Sequence, residues 1–173
     1  VQELLKGRSL EEIIWEGFLK WGEPFEYENQ KQKKSFCHAV YALMQFDSQR
    51  SDFLNKFSLF SPDSCELSFR IALPEFTYRG FFDAILKDPS GNISILEVKT
   101  SSSNVINGAM YQNSAQALGY SVVLDNIAPG LSKYEVRYLV YATKQCEWHV
   151  FEFPKSYTAR SRWLNELLLT CDE

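Results

Sequence analysis

Cysteine is scarce and scattered in this chain: Cys37, Cys65, Cys146 and Cys171 lie far apart and form no CxxC pair. That spacing argues against a disulfide framework and fits incidental thiols in a reducing cytosol. An iron–sulfur cluster needs four converging thiolates, commonly at short spacings, so none is expected. An excess of positive charge is missing too. With 18 basic and 22 acidic residues the net charge is -4, which argues against a protein that coats nucleic acid by bulk electrostatics. It leaves room for an enzyme that gathers carboxylates around a metal and keeps basic residues along a substrate track. No apolar run approaches the roughly 20 residues that span a bilayer, so no membrane partner is expected. Val1-Gln2-Glu3-Leu4 has neither a basic leader nor an apolar signal core, which points to a cytoplasmic location. Repeats, low-complexity tracts and linkers are absent.

What is present suffices for one compact domain over 1–173, with 45% hydrophobic residues to build a core. Ser9-Leu10-Glu11-Glu12 has the form of a capping box and opens a helix to about Trp21. A second helix is predicted from about Lys33 to Phe46, with Phe36, Val40, Leu43 and Met44 on its apolar face, and a shorter piece over 52–57. From Cys65 the period changes. Strands are predicted over 65–73, 76–86 and 93–99, the last two joined by the turn Lys87-Asp88-Pro89-Ser90-Gly91-Asn92. A long helix over 104–124, strands over 134–143 and 148–153, and a helix over 157–169 complete the chain. The order ααβββαββα predicts an α/β fold with a mixed central sheet flanked by helices.

Chemistry concentrates in Gly80-Phe81-Phe82-Asp83-Ala84-Ile85 and Ile95-Leu96-Glu97-Val98-Lys99. Residues two apart on a strand share a face, so Glu97 and Lys99 project together. A hairpin centred near Ser90 sets Asp83 opposite Glu97, with Cβ atoms about 5 Å apart. Two carboxylates on adjacent strands repel, and a divalent cation accounts for the pair. Mg²⁺ takes one or two carboxylates plus water and substrate phosphate, and acidifies bound water. Roughly one [DE]-x-K is expected by chance in a chain of this length, so context carries the weight. Here the triplet ends an apolar strand, follows Gly-x-x-Asp and precedes a polar cap and a helix.

GxxDxI, a hairpin turn, and ExK followed by Thr100-Ser101 resemble two motifs of RecB-type nucleases in the PD-(D/E)XK superfamily, which includes phage recombination exonucleases. Phe82 stands where that pattern often has proline. The resemblance implies a restriction-endonuclease-like core in which Asp83 and Glu97 hold Mg²⁺, with Mn²⁺ as a substitute, and the Val98 carbonyl joins the metal shell. Lys99 would position the attacking water. It further implies a metal-binding or substrate-facing role for His38, a metal-shaping role for Glu66, and a QxxxY motif in Gln116 and Tyr120. Lys31, Lys33 and Lys34 are candidate phosphate contacts beside His38. Gln112, Gln116 and Tyr120, at i, i+4 and i+8, would form one polar stripe facing DNA. The expected activity is Mg²⁺-dependent DNA exonuclease action in recombination, repair or phage DNA processing. DNA is then the partner, with a homo-oligomer or larger recombination complex by analogy. A restriction-type endonuclease and an inactive nuclease fold kept for nucleic-acid binding are the alternatives.

Overall fold

Serine side chains cap several of the helices, and an asparagine-bearing turn joins two of the strands. The computed structural model describes residues 1–22, 35–72, 76–131 and 134–171. A short helix, α1 (Gln2–Leu5), precedes α2 (Leu10–Lys20), whose capping box forms: Glu12 N–H donates to Ser9 Oγ at 3.2 Å and Ser9 N–H to Glu12 Oε2 at 3.3 Å. The helix α3 (Phe36–Lys56) is capped by Ser35 and runs unbroken through both predicted pieces. Next come β1 (Ser58–Leu59), β2 (Cys65–Ala72), β3 (Thr77–Lys87) and β4 (Ile93–Ser101). The predicted β3–β4 turn closes on Asp88, whose carboxylate accepts from the Asn92 amide at 2.8 Å and from its side chain at 2.7 Å. Gly91 supplies the positive φ that the turn requires.

After β4 the chain departs from expectation. Instead of one helix over 104–124 there are two, α4 (Ala109–Gln112) and α5 (Ala115–Ile127). Asn113 leaves helical geometry and the Ser114 side chain accepts from the Ala117 amide, starting a new helix. The polar run before α4 is tied to the neighbouring strand turn, where Gln145 Nε2 donates to the Asn104 carbonyl at 2.8 Å. β5 (Glu135–Ala142), β6 (Glu147–Pro154) and α6 (Tyr157–Cys171) close the chain. None of the helices among the described residues is long and apolar enough to cross a membrane.

The sheet is mixed, in the order β1-β3-β4-β5-β6, with β2 also on β3. β4 and β5 are parallel and the other pairs antiparallel. Helices cover both faces. On one, Ile93 and Ile95 of β4 and Val136, Tyr138 and Val140 of β5 pack with Ala117, Tyr120, Val123 and Leu124 of α5. On the other, Leu86, Leu96 and Leu139 meet Leu4 and Leu5 of α1 and Phe46 of α3. This is the mixed α/β architecture expected, with a sheet that curls. Phe82 and Leu67 belong to the first cluster, whereas Ala84 and Cys65, two residues along, belong to the second. Strand alternation would send each pair to one face. The β2–β3 hairpin therefore turns over between them, at Glu66, whose φ is 56°, and Asp83.

Candidate active site

The ladder between β3 and β4 pairs Lys87 with Ile93 through to Ala84 with Leu96, and stops there. Asp83 and Glu97 are the next two residues on their strands. Where a backbone bond would continue the ladder, the Val98 amide donates to Asp83 Oδ2 at 2.7 Å. The half-buried carboxylate thus closes the split between the strands and retains Oδ1 for another partner. Beyond the split β4 remains paired with β5, alone among the described residues, and Glu97 lies alongside Tyr138.

Glu97 is 1% exposed. Its Oε2 meets Lys99 Nζ at 2.9 Å, while its Oε1 is buried and has no hydrogen-bond partner among the described residues. Burial pushes this carboxyl up to about 7; Lys99 pulls it down and Asp83 adds to the rise. Lys99 stays above its ordinary value: burial lowers it, but the hydrogen bond and charge of Glu97, with Asp83 behind, outweigh that. Lys99 Nζ also donates to Gln116 Oε1 at 3.1 Å, and Gln116 Nε2 donates to the Tyr120 hydroxyl at 3.0 Å. Tyr120 is held in turn by edge-on rings, Phe82 at 4.9 Å and Phe69 at 5.4 Å between centroids. A line of polar contacts therefore runs from Glu97 through Lys99 and Gln116 to Tyr120.

The remaining candidates are dispersed. His38 is turned to its own helix cap: its amide donates to Ser35 Oγ, and its ring Nδ1 pairs with that same oxygen at 3.2 Å. It shares a cavity of about 360 Å³ with Val98, Thr100, Tyr141 and Trp148. Val98 and Thr100 alternate with Glu97 and Lys99, so His38 borders the face of β4 opposite to theirs. Glu66 is exposed at the bend of β2, between Cys65 and Leu67, whose partners Ala84 and Phe82 flank Asp83. Gln112 ends α4, and the intervening break removes it from the stripe expected with Gln116 and Tyr120; its carbonyl accepts from Lys155 Nζ at 2.6 Å. Lys31, Lys33 and Lys34 lie outside the described residues. Sequence reasoning passed over Tyr138, a buried wall beside Glu97. Its signal in the sequence was weak, one of two tyrosines in a strand that also carries Glu135 and Arg137.

The donor set suits a hard cation. Two carboxylates meet at the split, and one offers a buried oxygen that no donor among the described residues satisfies. Among the described residues no three His, Cys, Asp or Glu side chains gather closely enough to hold a metal ion. A cation here would complete its shell with water and substrate oxygens, as Mg²⁺ commonly does.

The fold defines a class, a curled mixed sheet between helical layers. The chain superposes on a proposed exonuclease from Eubacterium rectale with a TM-score of 0.51 and 13% identity, covering 96% of this chain and 63% of that one. The solved structure of SSO0001 aligns over 97% of this chain and 85% of its own length, at a TM-score of 0.38 and 15% identity. The chain thus spans less than two thirds of the exonuclease-like protein. No family model matches the sequence. No curated protein matches it either.

Proposed function

We propose that this chain is a divalent-metal-dependent deoxyribonuclease of the PD-(D/E)XK type, one domain over 1–173, acting as an exonuclease. The observation that carries the reading is the meeting of Asp83, Glu97 and Lys99 where the β3–β4 ladder splits, with Glu97 Oε1 buried and unpaired. The shared fold with a proposed exonuclease is consistent with it.

In this reading Asp83 and Glu97 hold Mg²⁺, or Mn²⁺ in its place, with the Val98 carbonyl beside them. The cation supplies Lewis acidity toward a phosphate oxygen and lowers the pKa of a water. Lys99 directs its ammonium into the same volume, orienting the attacking water and offsetting charge on the phosphate. Gln116 fixes the Lys99 side chain through its amide oxygen, and Tyr120 fixes Gln116. Tyr138 and the apolar face beneath exclude bulk water from the Glu97 side. His38 and Glu66 are not required by this arrangement.

Purified protein should degrade linear DNA in Mg²⁺ and lose that activity in EDTA. Closed circular DNA should survive if the enzyme needs an end; its cleavage would turn the reading toward an endonuclease. Glu97→Ala and Lys99→Ala should abolish cleavage with the far-ultraviolet spectrum unchanged. Gln116→Ala should lower kcat/KM about tenfold, near 1.4 kcal/mol. Full activity in Glu97→Ala, or none in the wild type with any divalent metal, would end the proposal.

A further inference from the structure

We propose that the outer face of the β2–β3 hairpin is a track for a single-stranded nucleic-acid segment. Arg70 and Arg79 would meet its phosphates and Phe81 one of its bases. The inference rests on the nuclease reading for its direction, but its residues lie outside the site described above.

Along the hairpin, Leu67, Phe69, Ile71, Tyr78 and Phe82 turn inward to the core, leaving Ser68, Arg70, Arg79 and Phe81 on the exposed face. The register sets Arg70 directly across from Arg79, and Ser68 across from Phe81. Like charges facing each other across a ladder destabilise it, so the fold alone gives no reason for this pair. The other five arginines, Arg8, Arg50, Arg137, Arg160 and Arg162, each hold a carboxylate. Arg70 and Arg79 hold none among the described residues, in a chain of net charge -4. Two guanidinium groups left open side by side suit an anion with repeated charge, and phosphate diesters accept their forked donors well.

Phe81 adds the second chemistry. It is 66% exposed, an unusual setting for a phenylalanine in the middle of a strand. Together these residues line a groove of about 730 Å³, floored by Gly80. Basic groups interleaved with an exposed ring are how proteins hold single strands, the ring stacking on an unpaired base. A duplex interior offers no free base face, which is why the track fits a single strand. Phe81 is two residues from Asp83 on the same strand, and Arg79 four, about 13 Å at 3.3 Å per residue. A chain lying in the groove runs along β3 to the split, and would pass through it to reach Glu97 and Lys99, which face α5 on the other side of the sheet.

The test is fluorescence anisotropy of a short labelled oligothymidylate in EDTA, at increasing NaCl. Arg70→Gln/Arg79→Gln should bind at least tenfold more weakly, and its salt slope should fall by about 1.4, the value for two single-strand phosphate contacts. Arg70→Lys/Arg79→Lys should keep most of the slope, since the charges remain. Phe81→Ala should weaken the oligothymidylate and leave a blunt duplex of equal length unaffected. Removing the facing charges should hold or raise the thermal midpoint, so misfolding is read separately. Unchanged affinity and slope in Arg70→Gln/Arg79→Gln would overturn the proposal. Thymidine 5′-(p-nitrophenyl phosphate) distinguishes this from failure of the nuclease reading, because it is too small to reach from the split to Arg79. If the wild type hydrolyses it in Mg²⁺, the arginine variant should do so equally well. Whether or not the wild type accepts this small diester, the DNA assay in Mg²⁺ decides the catalytic reading and the binding arm decides the track.

Discussion

Glu97 is the residue whose environment is least explained by folding. A carboxyl raised to about 7 from an ordinary value of 4.5, chiefly by burial, disfavours its own ionisation in the native state. The sign follows from linkage. Below about pH 4.5 the group is neutral in both folded and unfolded chains, and its contribution to stability is fully present. As pH rises through 7 that contribution is lost, because the unfolded chain releases the proton first. The loss approaches about 3 kcal/mol by pH 8 in the metal-free protein. Glu97→Gln, neutral at every pH, should therefore raise the thermal midpoint at pH 8 in EDTA and flatten its decline between pH 5 and 8. An unchanged decline would show that Glu97 is not the group responsible. ExK was legible in the sequence as a pattern; the burial of its carboxylate was not, because it depends on Tyr138, 41 residues further along the chain.

At the level of elements, α5 is fixed by close approaches that a pattern of hydrophobicity does not reveal. A Cβ on Gly119 would meet the Tyr78 hydroxyl at 2.2 Å and Trp163 at 2.8 Å, so here the hairpin, α5 and α6 touch through a residue with no side chain. Gly119→Ala should force Tyr78 and Trp163 apart and cost about 1–3 kcal/mol, read as a lower urea midpoint. No change would mean that both rings move aside freely. Gly80, the first residue of the GxxD pattern, has a similar basis: its Cβ would strike the Phe69 ring at 2.7 Å. The β3–β4 hairpin was readable from Asp88 to Asn92, and the Gln116–Tyr120 spacing was readable as one helix face. The break at Asn113 and Ser114 was missed because the apolar spacing continues across it. Only the competing Ser114 cap marks the boundary.

Across the whole molecule, the alternation of β2 and β3 foretold a sheet between helical layers but not its curl. Cys65, Leu67, Phe69 and Ile71 read as one continuous apolar face, yet Cys65 packs on the opposite side of the sheet from the other three. The reversal sits at Glu66, a residue type that seldom takes a positive φ, so nothing in the pattern announced it. The same contrast separates the candidate site. Asp83, Glu97 and Lys99 are local to one hairpin and were found together, whereas the setting of His38 depends on which face of the sheet α3 covers.

The split in the ladder also has a consequence for how the native protein opens. Residues 77–83 have β2 on one edge and, among the described residues, no strand on the other. Their amides that face the vacant edge should exchange with deuterium within the earliest time points, while β4 amides from Ser94 to Ser101 held by β5 should resist. The Val98 amide faces the split instead, where its proton rests on the Asp83 carboxylate and should become labile in Asp83→Ala. Residue-resolved exchange would then show the β2–β3 hairpin breathing as its own unit, with a lower opening free energy than the β4–β5 pair beside it. Uniformly slow exchange through 77–83 would mean that the two strands are closed along their length in solution.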